Sequence, residues 1–239
     1  MYKLYYWPGL PGRGELVRLV LEEIRQPYVD VARLPVETGG GAQAIMEMLQ
    51  QTKTVPALAP PILQDGDLVI AQVANICQLL AVRHGLVPAG ERARSHALQL
   101  QLTIADVVSE AHDTHHPISV MDHYEDQKPE AQKRAAFFTR YRIPKFLGYF
   151  ERTLGCDSSA YLLGDEVSYP DLSLFQLLEG LRFAFPNAMK RIAADIPLLC
   201  AHENRVAERP NIAAYLASDR RLGFNNKGIF RHYPELDPA

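Results

Sequence analysis

Residues 60–80, PPILQDGDLVIAQVANICQLL, bring together groups that suit a small anion. The run Pro-Pro-Ile-Leu is apolar, and its prolines bar it from being a central strand at those positions. Asp65-Gly66-Asp67 is a tight-turn signal, and Leu68-Val69-Ile70 is the return strand. Gln72 opens a helical pattern with Ile76, Leu79 and Leu80 on one face. The first N–H groups of a helix have no intrahelical acceptor and lie at the positive end of its dipole. A helix start beside a proline-led hairpin is therefore suited to binding an anion. A second group of interest is His112, His115 and His116, spaced i, i+3, i+4, with Asp113 and His123 nearby. On a helix that spacing shares one face, and imidazoles so placed can ligate a metal. The same pattern suits a polar helix end or a pocket wall. We adopt that second reading and expect no metal.

Size and composition narrow the class. A chain of 239 residues is one large or two modest domains. With 47% hydrophobic and 22% charged residues it reads as an ordinary globular protein. The formal charge of -3 supplies no field for nucleic acid or an anionic membrane, so neither is expected as a partner. No apolar run has the length of a membrane span. The N-terminus, MYKLYYWPGLPGRGE, has no signal-peptide core. Cys77, Cys156 and Cys200 are far apart and odd in number, which argues against a disulfide scaffold or a zinc motif. A reducing, cytoplasmic setting is expected.

Elements of two kinds must position these groups. Residues 2–7, YKLYYW, predict a strand. Residues 15–24 predict a helix burying Leu16, Leu19, Val20 and Ile24, stopped at Gln26-Pro27. Residues 28–31 predict a second strand, parallel to the first because a helix connects them. A short helix over 42–51 precedes the hairpin and third helix. The order β-α-β-α-β-β-α is that of a thioredoxin-like unit, residues 1–84, ended by a linker at 84–88. From 89 to 239 the sequence predicts helices alone, giving an α/β domain followed by an all-α helical-bundle domain. Helices are expected over 91–112 and 129–154. Another follows Ser168-Tyr169-Pro170-Asp171, a capping-box pattern with an early proline. A short last helix starts at Pro210. The tail from 219 is polar, and Arg220 and Arg221 are read as a solvated face.

The chain resembles the cytosolic glutathione transferases over nearly its whole length. KLYYW with the PGRGE loop looks like the family's first strand and turn. Residues 61–67 look like its cis-proline strand and hairpin, 72–76 like the ligand-binding start of its third helix, and 168–171 like the cap buried in its helical domain. Each match is weak alone; their order and spacing carry the signal. The tyrosine-type classes, and the sigma-like branch in particular, are nearest in style. Val55-Pro56 also fits the cis-proline pattern. Only Pro61 leaves room for one strand, a turn and one strand before Gln72, so Pro61 is chosen.

The resemblance implies attack by the glutathione thiolate on a small hydrophobic electrophile. A free cysteine thiol has a pKa of about 8.5, so the protein must stabilise its thiolate. The family does this with Tyr, Ser or Cys near the end of the first strand. Residues 1–20 hold no Ser or Cys, which leaves a tyrosine, and Tyr6 is chosen; the alternative is that Tyr6 is a core aromatic and Tyr5 carries the hydroxyl. For glutathione itself, Gln72 and Val73 match the start of the third helix, although Val73 lacks the family's usual hydroxyl. Pro61 is the cis-proline. Pro60 has no N–H and keeps only its acceptor. Arg13 either pairs with a carboxylate or braces the domain interface. Lys53 is a candidate for the glycyl carboxylate, although a solvated loop charge is the preferred reading. Asp106 lies where a partner subunit's acidic residue approaches the γ-glutamyl amine, or is a surface charge. A homodimer follows from the family alone, as does a role in detoxification. A glutathione-dependent isomerase and a non-catalytic binding protein on the same fold are the alternatives.

Overall fold

Alternation in the first strand sets the layout of the N-terminal part. In β1 (Tyr2–Tyr5), Tyr2 and Leu4 pack on one face and Tyr5 on the other, as the period of two requires. The structure is a computed structural model and describes residues 1–51, 55–156 and 159–239. After β1 come α1 (Gly12–Glu23), β2 (Tyr28–Asp30), α2 (Gly41–Leu49), β3 (Ile62–Asp65), β4 (Leu68–Ala71) and α3 (Val73–His84). The sheet order is β2-β1-β3-β4. β1 and β2 are parallel, with Tyr2 opposite Tyr28, while β3 runs antiparallel to both β1 and β4. α2 covers the Tyr5 face, and α1 and α3 cover the Tyr2–Leu4 face. This is the thioredoxin-like arrangement.

The remainder is helical: α4 (Glu91–Asp113), α5 (Lys128–Phe137), α6 (Ile143–Leu154), α7 (Tyr169–Ala184), α8 (Pro186–Ile192), α9 (Pro197–Ala207) and α10 (Pro210–Leu216). α7 is the central strut, with Tyr169, Leu172, Leu174, Leu177 and Leu178 all at or near zero exposure. Its start is held by the capping box. The Asp171 carboxylate accepts from the Ser168 N–H at 2.8 Å and also from Leu162 N–H and His202 Nε2 at 2.9 Å.

Several expectations are corrected. The first strand ends at Tyr5, so Tyr6 and Trp7 lie beyond it. The first helix begins at Gly12 rather than 15, with Pro11 as its N-cap. It is buried nearly all round, Arg18 included, because α3 and the sheet lie on one side and α7 and α10 on the other. The long helix over 129–154 is interrupted by a π-helical turn, Phe138–Arg142. Pro144 follows that turn; it has no N–H to donate, and its ring would clash with the carbonyl four residues earlier. The tail, expected to be polar with a solvated basic start, packs on the helical part. Ile229 and Phe230 are buried, and the Phe230 ring packs where a Gly180 side chain would stand. The Asp237 carboxylate accepts from the Asn187 and Ala188 N–H groups at the start of α8. Arg220 and Arg221 are engaged too, pairing with Glu22 and Glu15 of α1.

Candidate active-site cleft

The peptide between Pro60 and Pro61 is cis, and it forms one wall of a cleft of about 350 Å³ between the sheet domain and α4. Arg13, Gln72 and Val73 line the same cleft. α4 supplies the opposite wall through Leu102, Ala105, Val108 and Ser109. Five of the seven site candidates from this half of the sequence, Arg13, Pro60, Pro61, Gln72 and Val73, thus meet here. Neither proline can donate, so this wall offers carbonyl oxygen only. A larger groove, about 800 Å³, lies between β2, α1 and α10. Two of its three arginines are already engaged, Arg33 on the Arg220 carbonyl and Arg220 on Glu22, and Glu22 and Asp30 also line it, which leaves it less suited to an anion.

Gln72 is the N-cap of α3, with φ 71° and ψ 122°. A non-glycine residue there is strained, at a cost of order 1–3 kcal/mol, and such outliers cluster at ligand sites. The first helical bond is Ile76 N–H to the Gln72 carbonyl at 2.9 Å. The N–H groups of Val73, Ala74 and Asn75 therefore have no intrahelical acceptor. The Val73 side chain is 7% exposed and packs in the core. Arg13 is the only charged group among the described lining residues, and its Nη2 reaches Ser109 Oγ at 3.4 Å, spanning from α1 to α4. With one cation and free amide donors, the cleft favours an anion.

Tyr6 sits one hydrogen bond behind the Arg13 wall and does not line the cleft. Its parity is that of Tyr2 and Leu4, which carries it to the α1 side of the sheet, whereas Tyr5 points to the α2 side and donates to Gln64 Oε1 at 3.0 Å. The Tyr6 hydroxyl oxygen accepts from the Arg13 N–H at 2.9 Å, and the Gly14 N–H also faces it. Burial pushes its pKa up, against the smaller opposing pull of those amides and of Arg13 and Arg18. The hydroxyl is therefore protonated at neutral pH. No acceptor for its own proton is present among the described residues.

Two residues that sequence reasoning did not single out make the seat for this ring. A Cβ at Gly12 would stand 2.2 Å from the Tyr6 hydroxyl oxygen, and one at Gly14 would stand 2.5 Å from Tyr6 Cγ. Gly12 also has φ +41°. Gly12→Ala should cost roughly 1–2 kcal/mol for the left-handed backbone alone, and it should displace the ring. Thermal unfolding together with the shift in tyrosine fluorescence checks this. The G-x-G pair around Arg13 was a visible signal, once the parity of Tyr6 is counted along the strand.

The remaining candidates fall elsewhere. Lys53 lies outside the described residues. Asp106 is exposed on α4, away from the cleft lining, with Arg142 as a charged neighbour. The histidines are not all on one helical face, because α4 ends at Asp113; His115 and His116 lie in the turn that follows. Their rings still cluster with that of His112, at centroid separations of 4.7–5.2 Å. Burial pushes the pKa of His112 down to about 4 and that of His115 to about 3. Cys77 is fully buried against the Leu16 carbonyl, and burial pushes its thiol pKa up, so it is inert.

Comparison with known proteins bears on the family. The family profile described as glutathione S-transferase, C-terminal domain, matches residues 112–219. A Caenorhabditis elegans protein named glutathione S-transferase P is 31% identical over 226 residues, covering 93% of this chain and 94% of that protein. A glutathione S-transferase of Plasmodium yoelii yoelii is 28% identical over 208 residues, covering 87% and 89%. Among solved structures, the prostaglandin synthase D of Nilaparvata lugens superposes with a TM-score of 0.71 at 19% identity, over 92% of this chain and 98% of that one. No described helix is long and apolar enough to cross a membrane. The chain belongs to the glutathione S-transferase family, as an enzyme with glutathione as its co-substrate.

Proposed function

We propose that this is a tyrosine-type, sigma-like transferase in which the Tyr6 hydroxyl stabilises the glutathione thiolate for attack on small hydrophobic electrophiles. The observation that carries the reading is the Tyr6 oxygen accepting from the Arg13 amide while its own proton has no acceptor among the described residues. A donor whose oxygen is already hydrogen-bonded is polarised and donates more strongly. The thiol must reach that proton past Arg13, from the cleft side. Residues 1–84 would bind glutathione, and the helical part, 89–239, would line the electrophile site, whose α4 wall is largely apolar.

The γ-glutamyl carboxylate would take the free amides at the start of α3, with Gln72 beside them and Arg13 supplying charge. The Pro60 carbonyl would accept from the cysteinyl N–H. Lys53 is proposed for the glycyl carboxylate. Asp106 would act only across a homodimer, in a cytoplasmic protein; sedimentation showing a monomer would remove its role. An isomerase is the second reading, in keeping with the fold shared with the Nilaparvata synthase, and it needs the same thiolate. Titration with glutathione by calorimetry, followed by a panel of electrophiles and isomerisable substrates, tests both. No binding at millimolar glutathione would sink them together.

Gln72→Gly separates binding from folding. Glycine relieves the positive φ at roughly the cost of its own chain entropy, so stability should stay within about 1 kcal/mol. Loss of the amide should weaken glutathione about 5- to 10-fold, the equivalent of ~1–1.4 kcal/mol. Equal affinity in both proteins would remove Gln72 from the site.

A further inference from the structure

We propose that His112, His115 and His116 form a binding site for a divalent transition-metal ion of the zinc type, beside the Arg13–Ser109 end of the cleft. Each of the three offers one ring nitrogen, and these atoms all lie within 4.8 Å of one another. Tetrahedral zinc with Zn–N of 2.0–2.1 Å needs nitrogens ~3.4 Å apart. Ring rotation can bring the nitrogens to that spacing, since His112 and His116 are only half-buried. His115 Nδ1 and His116 Nδ1 share a hydrogen bond at 2.5 Å; a bound ion would take the place of its proton and open the pair to ~3.4 Å.

The bonding around His115 is that of a ligand. Its Nε2 lies 2.7 Å from the Ile229 carbonyl oxygen. A carbonyl only accepts, so Nε2 carries the proton and Nδ1 presents a lone pair toward the other two rings. Ligating histidines commonly have their second nitrogen held this way, which fixes tautomer and ring orientation. The backbone adds a second feature. The cluster sits at the C-terminal end of α4, Glu91–Asp113, where the helix dipole favours positive charge. Arg13 and Arg231 are charged neighbours that oppose a dication, so the expected affinity is micromolar rather than nanomolar. Three imidazoles leave a fourth position for water or another small donor. His112 follows Ser109 by three residues on the same helix face, one turn from the group that Arg13 touches.

The test is zinc titration of the tag-free full chain against a chromogenic chelator, with the visible spectrum of the Co2+-loaded protein as a second readout. Saturable binding of one ion per chain, with a tetrahedral Co2+ spectrum, is expected. His112→Ala and His116→Ala, at surface-accessible positions, should each weaken binding at least 10-fold, within the range seen when a metal site loses a supporting group. Circular dichroism should show both variants folded. The chain has 8 histidines, so binding unchanged in the double variant would assign the ion to other histidines and overturn the proposal. So would the absence of one-equivalent binding, which would leave the cluster as a fastener for the tail through Ile229.

Discussion

Tyr6→Phe is expected to lower kcat/KM for conjugation by roughly 10- to 150-fold, while glutathione affinity changes little. The range corresponds to one hydrogen bond to a charged partner, ~1.5–3 kcal/mol. The direction follows from the thiol equilibrium. A hydroxyl donor stabilises the thiolate and lowers the thiol pKa, so its removal lets that pKa rise toward the free value of about 8.5. The pH profile of kcat/KM should therefore shift upward, and the thiolate absorbance of bound glutathione at neutral pH should disappear. Tyr5→Phe is the control, since it loses only a bond to Gln64 on the opposite face of the sheet. If bound glutathione kept its thiolate absorbance in Tyr6→Phe, the hydroxyl would have to be assigned elsewhere.

Arg18→Ala should be the most destabilising single change discussed, by about 3–5 kcal/mol, the usual cost of removing one partner from a buried ion pair. Arg18 has no exposed side-chain surface. Its Nε donates to Asp30 Oδ2 at 2.7 Å and its Nη1 to Glu15 Oε2 at 3.0 Å. Glu15 in turn accepts from Tyr215 Oη at 2.6 Å and from Arg221 Nη1 at 2.5 Å. The variant strands carboxylates at the joint between α1, β2, α10 and the tail. For a chain of this size the loss should lower Tm by roughly 6–20 °C, measured by calorimetry. The exposed pair Arg83–Asp65, with side chains 38% and 35% accessible, is the comparison: Arg83→Ala should cost under about 1 kcal/mol. A similar Tm for both variants would mean that the buried network does not join the two domains.

The cleft was largely legible before the fold was known. Pro61 was preferred to Pro56 by counting the residues a strand, a turn and a strand need, and the Pro60–Pro61 peptide is the cis one. Ser168 and Asp171 announced the start of α7 because capping is a contact between residues three apart. Arg13, Pro60, Pro61, Gln72 and Val73 converge on one cavity. The seat of Tyr6 was half legible. Strand parity separates Tyr6 from Tyr5, but the closeness of Gly12 and Gly14 to the ring depends on the path of the loop. The histidine spacing was misread as a helical face although the helix was expected to end at 112; His115 and His116 lie past that end, where i, i+3, i+4 no longer means one face.

The amino-acid sequence by itself determined the order of strands and helices, the hairpin, the caps and the residue types that reach the cleft. These depend on backbone propensity and on contacts a few residues apart, which spacing encodes. Only the tertiary structure decided that Arg18 and Glu15 are buried, that Arg221 is paired with α1 rather than solvated, and that three histidines converge at the end of α4. Each of those depends on elements distant in the chain closing over the group: Tyr215 and Arg221 over Glu15, and Ile229 over His115. A charged residue shows its partner in sequence only when that partner is a helical turn away.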